Sequence, residues 1–127
     1  TVAAKLDDIV NFIPARISAI IMVVSAFLCG MDGKEAFRIF KRDRYNHASP
    51  NSAQTESVMA GALGVQLAGD AWYFGVKHEK PTIGDAKRPV ELRDIQRSNR
   101  LMYTTTVLTV IIILVIHLYL IFTNVSF

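Results

Sequence analysis

Hydrophobic and polar positions are sharply segregated along this chain. From Leu101 to Phe122 it reads LMYTTTVLTVIIILVIHLYLIF, and residues 101–127 contain no Lys, Arg, Asp or Glu. As a helix at 1.5 Å per residue the run is about 33 Å long, enough to cross a hydrocarbon core of about 30 Å. The β-branched stretch Val110–Ile113 would suit a buried strand, but the uncharged length selects a transmembrane helix. Tyr103 and Tyr119 fall near its ends, where aromatic belts form. His117 is the titratable group inside it, read either as a proton relay or as a neutral side chain that is hydrogen-bonded or reaches the interface.

A second apolar run, Ile17 to Cys29, covers 13 residues, too few to span a bilayer alone. Extending it back to Ile9 takes in Asn11, Pro14 and Arg16. Pro14 has no backbone donor. Either it opens a helix near its first turn, or the segment is a broken helix lined by protein. Arg16 then needs a partner, a polar cavity or a route to the interface.

Gly30-Met31-Asp32-Gly33 reads as a turn. Lys34–Arg44 sets Ala36, Phe37 and Phe40 against Arg38, Lys41, Arg42 and Arg44, an amphipathic helix placed at a membrane surface or facing solvent. His47–Ser52 is a loop by its Ser, Pro and Asn content. Ser57–Gly69 is a predicted helix of small and apolar residues, capped by Ser52 or Thr55. Its Gly61 and Gly64 lie three apart, on nearly one face, and admit either a neighbouring helix or a ligand. Asp70–Arg93 is an irregular loop or short hairpin, and the last helix starts within Asp94–Arg100.

Composition sharpens this picture. The chain has 127 residues, 51% of them hydrophobic, with a mean hydropathy of +0.30, which excludes disorder as a description of the whole. Residues 17–31 are likewise uncharged, so nearly all charge lies between Asp32 and Arg100. The expected fold class is mainly α, a fragment of a polytopic α-helical membrane protein with a cytoplasmic loop region. Three segments follow: 1–31 with a partly buried apolar helix, 32–100 as the cytoplasmic and chemically active part, and 101–127 as the C-terminal transmembrane helix. The basic cluster at 38–44 sets that orientation by the positive-inside rule. Asn124 then lies outside, and its Asn-Val-Ser sequon is read as chance. A net charge of +3 is too small to argue for a nucleic-acid partner. One cysteine, Cys29, excludes an internal disulfide framework and any CxxC site. The start at Thr1 carries no signal-peptide pattern, and the chain reads as a piece of a longer protein.

The residues that could carry chemistry are few. Asp7 and Asp8 are adjacent, so on a helix they point about 100° apart. One could take a hydrated Mg²⁺, which needs only one or two carboxylates plus phosphates, or both could serve a helix N-terminus. Gly30–Lys34 is not a P-loop, because only two residues separate its glycines and Glu35 follows the Lys. Glu56 is the sole acid between Asp43 and Asp70. Lys80 and Asp85 stand on a turn. His47, His78 and His117 are too scattered for a histidine metal site.

Taken together these stretches resemble one family. Asp7-Asp8-Ile9-Val10-Asn11-Phe12-Ile13-Pro14-Ala15-Arg16 is similar to the DD-x-x-N-x-x-PAR signature of the adenosylcobinamide-phosphate synthases, integral membrane proteins of cobalamin biosynthesis. His47, Ser49-Pro50-Asn51, Glu56 and Met59–Val65 resemble its H-x-SPN…E-x-x-MAGALGV block. Tyr73-Phe74-Gly75 and Lys80-Pro81-Thr82-Ile83-Gly84-Asp85 resemble its Y-x-G and KP-x-IGD elements. The match covers about the C-terminal two-fifths of a typical member. Departures are Ala53-Gln54-Thr55 before the Glu, Gln66 after Gly-Val, and Ala68 where the family has the first of two glycines.

The resemblance implies an ATP-dependent ligase. A propionate carboxylate of adenosylcobyric acid is joined through an amide to aminopropanol or its phosphate. It implies ATP and Mg²⁺ as cofactors, with the corrinoid, the amino alcohol, the lipid bilayer and the N-terminal part of the same protein as partners. It makes Asp7, Asp8, Glu56 and Arg16 the expected catalytic residues, with Asp8 and Glu56 on the metal. Asn11, Ser49, Asn51, Gly61, Gly64, Lys80 and Asp85 become the expected substrate contacts, and the surface Ala60–Gly64 suits a broad corrinoid ring. A non-catalytic membrane transporter or scaffold component is the alternative. If residues 9–29 crossed the bilayer fully, Asp7 and Asp8 would lie opposite the cytoplasmic loop; a helix embedded partway removes that conflict.

Overall fold

The computed structural model describes residues 1–123; the Asn124 sequon lies outside them. Helix α1 (Val2–Val10) is capped by Thr1, whose hydroxyl accepts from the Ala4 N–H at 3.3 Å. Helix α2 (Phe12–Leu28) follows after a 45° bend at Asn11. Both readings of Pro14 meet here. It occupies the first turn of α2, where its missing N–H would have had no helical partner, and the chain is broken just before it.

Helix α2 buries Ala19, Met22, Val23 and Ala26, the i, i+3, i+4, i+7 stripe of a helix with one covered face. That stripe meets α4 (Ser52–Leu63) and Leu101 of the last helix. Helix α3 (Gly33–Asp43) is capped by Asp32 and buries Ala36, Ile39, Phe40 and Asp43. These residues pack on α4, through Val58 and Ala62 on one side and Ala53 and Ala60 on the other. The apolar side of α3 is thus filled by protein. Phe37, expected on that side, is exposed and carries Lys41 over its ring at 4.7 Å.

Helix α4 starts and stops earlier than the small-residue run suggests. Ser52 is already helical, so neither it nor Thr55 is the cap. The cap position is Asn51, whose side chain is engaged elsewhere. The helix ends at Gly64, in the left-handed conformation (φ +69°) that terminates helices cheaply only with glycine.

Two small antiparallel ladders follow. Strand β1 (Leu67–Ala68) pairs with β4 (Thr82–Ile83), and β2 (Ala71–Tyr73) with β3 (Val76–His78). The β2–β3 hairpin turns on Phe74 and Gly75, both at positive φ, a type I′ loop. Helix α5 (Arg93–Phe122) has 30 residues, about 45 Å. Its first turns are polar, and from Met102 onward it is largely exposed and apolar. Among the described residues it is the one unbroken helix long and apolar enough to cross a membrane, while α1 and α2 would qualify together as a bent pair.

Candidate substrate site

The loop between α3 and α4 folds back onto the break between α1 and α2. Ser49 Oγ donates to Asp8 Oδ1 at 3.1 Å, and Asn51 Nδ2 donates to the Asp8 carbonyl at 2.9 Å. Arg16 Nη1 donates to Asn51 Oδ1 at 3.3 Å and to the Phe12 carbonyl at 2.8 Å, with its guanidinium over the Phe12 ring. The Ser49 N–H donates to His47 Nδ1 at 3.0 Å. Asp8, Arg16, Ser49 and Asn51, from two motifs far apart in sequence, form one hydrogen-bonded group. Asp7 is not part of it. Its carboxylate accepts from Asn11 Nδ2 at 2.9 Å on the exposed side of α1, as adjacent helical positions require.

Glu56 stands where two cavities meet. One, of about 410 Å³ between α2, α4 and α5, is lined by Ser18, Met22, Met59, Met102 and Thr105 and is almost wholly apolar. The other, of about 660 Å³ at the foot of the β2–β3 hairpin, is lined by Tyr45, His47, Asp70, Tyr73 and Lys80. Glu56 lines both. Across the second cavity Lys80 Nζ donates to Tyr73 Oη at 3.2 Å and lies over that ring. Asp70 accepts from the Lys80 N–H at 3.0 Å and pairs with Lys77 at 3.4 Å; the N–H, then Lys77, keep its carboxyl below the usual range.

Several expected residues lie elsewhere. Asp8 lines a separate groove with Ile9, Phe12, Ile13 and Pro50, so it does not share a cavity with Glu56. No cluster of three or more His, Cys, Asp or Glu that could hold a metal is found among the described residues. Asp85 is fully engaged, by Arg38 at 2.6 Å and Arg42 at 2.8 Å, and belongs to the scaffold rather than to a substrate contact. Gly61 is buried against α3: a Cβ there would fall 2.5 Å from the Glu35 carbonyl oxygen and 2.6 Å from Ala36 Cα. It permits helix packing and offers no open surface to a corrinoid. Gly64 is the helix stop, off the face it was expected to share.

Two residues escaped sequence reasoning. Gly84, at φ +85°, donates its N–H to Asp43 Oδ2 at 2.7 Å, and a Cβ would meet the Val65 carbonyl at 2.5 Å. Its position inside KPTIGD was visible, its backbone role was not. Tyr45 lines the second cavity and accepts from Arg44 Nη2 at 2.6 Å; a lone Tyr after a basic run gave no signal.

Comparison with known proteins identifies the family. The profile of the family described as CobD/Cbib protein matches residues 1–102. The cobalamin biosynthesis protein CobD of Clostridium perfringens is 48% identical over 114 residues, 90% of this chain and 36% of that protein. CbiB of Salmonella typhimurium is 46% identical over 113 residues, 89% of this chain and 35% of its own length. CobD of Streptococcus sanguinis is 49% identical over 117 residues, 92% and 37%. The chain therefore spans just over a third of the curated relatives it matches. No solved structure gives a significant match. With its motifs in order and its identity held across nine-tenths of its length, the chain belongs to the CobD/CbiB family of cobalamin biosynthesis proteins.

Proposed function

We propose that the protein carrying this chain is a multi-pass membrane ligase, with residues 32–100 in the cytoplasm. In this reading it joins aminopropanol or its phosphate to the propionate carboxylate of adenosylcobyric acid at the expense of ATP. The observation that carries the reading is Glu56: a carboxylate without a hydrogen bond or ion pair among the described residues, set between an apolar cavity and a polar one. The apolar cavity suits the edge of a corrinoid and the polar one a small amine. The carboxylate of the corrinoid takes the terminal phosphoryl group of ATP and releases ADP. The amine nitrogen then attacks the acyl carbon, the C–O bond to phosphate breaks, and inorganic phosphate leaves. The amine arrives as an ammonium and must lose protons to react. Glu56 can bind that ammonium and accept a proton, and Lys80 on the facing wall offsets phosphate charge. Magnesium, when bound with ATP, would neutralise charge on the phosphates; no carboxylate pair of this chain is assigned to it.

The bent α1–α2 pair also fits a transporter, whose binding helices are often broken. ATP-dependent amide formation separates the two. Glu56→Gln in the full-length protein should slow product formation about 100-fold or more. Its melting temperature should not move, since Glu56 holds no partner. Undiminished turnover would remove Glu56 from the chemistry, and absence of amide product in the unmodified protein would favour transport.

A further inference from the structure

Six of the chain's eight arginines are half-buried or ion-paired, and these fall into two kinds. Arg38, Arg42, Arg88 and Arg97 each meet at least one carboxylate at 3.1 Å or closer. Arg16 and Arg44 meet none among the described residues, although both are half-buried. They come from different elements, α2 and the end of α3, yet both are tied to the start of α4, Arg16 by its bond to Asn51 at 3.3 Å and Arg44 by its carbonyl, which accepts from Gln54 Nε2 at 3.1 Å, and both act on the Tyr45 hydroxyl. Arg44 Nη2 donates to it at 2.6 Å. Arg16 first, then Arg44, holds this phenol below its usual range.

Both guanidinium planes are held from behind. Arg16 lies 3.5 Å above the Phe12 centroid and is tied to Asn51 and to the Phe12 carbonyl. Arg44 lies over the Phe40 and Tyr45 rings at 5.4 and 4.6 Å. The neighbouring acid, Asp8, reaches the group only through Ser49 and Asn51. Two like charges held beside one neutral hydroxyl repel one another, and an anion bound between them would relieve that repulsion through charge-assisted hydrogen bonds. Tyr45 also lines the polar cavity that holds Glu56 and Lys80, so the anion would sit at the rim of that cavity.

We infer that Arg16, Arg44 and Tyr45 form an oxyanion site for a phosphoryl group. Donors from two elements and a hydroxyl suit the several oxygens of a tetrahedral phosphate better than a planar carboxylate, which one guanidinium fork would satisfy. The phosphoryl group belongs either to a nucleotide or to a phosphorylated amino alcohol, and it lies at the cavity where the proposed ligase reaction brings both. The assignment deepens that reading, but it is tested by binding and not by turnover.

Calorimetric titration of the detergent-solubilised full-length protein would use inorganic phosphate, ATP and aminopropanol phosphate as probes. Arg44→Gln should weaken phosphate binding at least tenfold. Arg44→Lys, which keeps the charge without the fork, should fall between. Arg93→Gln, at an exposed arginine with no ion pair among the described residues, should bind as the unmodified protein does. If ATP binding weakens with phosphate, the site holds the nucleotide; if aminopropanol phosphate weakens instead, it holds the amino-alcohol phosphate. Should Arg44→Gln not fold, Tyr45→Phe keeps both charges but removes the hydroxyl they share, and a several-fold loss is expected. Unchanged phosphate binding in the folded variants, or a loss produced by Lys80→Gln alone, would overturn the site. Phosphate binding that depends on Arg44 in a protein forming no amide would sink only the ligase reading.

Discussion

Two charged regions lie on either side of the strand-rich loop, built from the same residue types and organised in opposite ways. Beside α3, Lys87, Glu35, Arg38, Asp85, Arg42 and Asp43 form one continuous chain of ion pairs. Around the cavities, Glu56, Lys80, Arg16 and Arg44 reach no opposite charge among the described residues. The single motif KPTIGD is divided between the two: Lys80 faces a cavity, whereas Asp85 locks onto α3. Gly84 between them is the anchor, its N–H on Asp43. Charges that satisfy each other hold the loop against the helices, and charges left unsatisfied mark where a ligand binds. The difference predicts that variants in the first region change stability and variants in the second change binding or turnover.

The strongest way to break that division is at the anchor. Gly84→Ala places a methyl 2.5 Å from the Val65 carbonyl and 2.7 Å from Ala60 Cβ, on a backbone at φ +85°. Overpacking and left-handed strain together should cost about 3 kcal/mol, seen as a fall of several degrees in melting temperature. An unmoved melting temperature would show that the loop is not fastened here. Asp43→Asn comes next. Its buried carboxylate serves both Arg42 and the Gly84 N–H, but Arg42 keeps Asp85 and is half exposed, so about 2 kcal/mol is expected instead of the full cost of a broken buried pair. Lys80→Gln, across the divide, should leave the melting temperature in place.

Acid separates the regions further. Arg42, with the Gly84 N–H, holds the Asp43 carboxyl below its ordinary value, and Arg38 and Arg42 do the same for Asp85. Arg38 and Lys87 hold Glu35 at about 2. Depressed carboxylates stabilise the fold above their unfolded values and lose that contribution as pH falls through the folded ones. Melting temperature should therefore be flat from pH 7 to about 5 and decline below about 4. In Asp43→Asn that acid decline should be shallower; an identical slope would remove Asp43 from the network.

Much of this was legible in sequence because it depends on local spacing. The apolar run of α5, the break near Pro14, the separation of Asp7 from Asp8 and the turn before α3 all follow from periodicity and breaker residues. The meeting of Asp8 with Ser49 did not, since it joins residues 41 apart, and only family resemblance set the two motifs side by side. Gly61 was ambiguous because small residues serve helix packing and ligand approach alike; the α3 backbone pressed against it decides for packing. Asp85 misled for a related reason: an acid in a functional-looking motif carries no mark of which arginine it will meet. The extent of α4 was misjudged because the small-residue run continues past Gly64, where a change of backbone hand, not of composition, ends the helix.

The smallest predicted effect lies where the two regions join, at Ala68. This residue ends β1, lines the polar cavity and has φ +59°, followed by Gly69 at φ +98°. The resembled family places two glycines here, and the observed backbone gives the reason, because both positions are left-handed. An L-residue in that conformation costs about 1 kcal/mol, part of which Gly would return as unfolded-chain entropy. Ala68→Gly should therefore stabilise the protein by about 0.5 kcal/mol, a rise of one or two degrees at most in melting temperature. Turnover should stay the same, since the methyl group carries no chemistry. A fall in melting temperature would mean that the methyl makes a contact worth more than the strain it imposes, and a change in the KM for the amine would place Ala68 among the residues that shape the cavity.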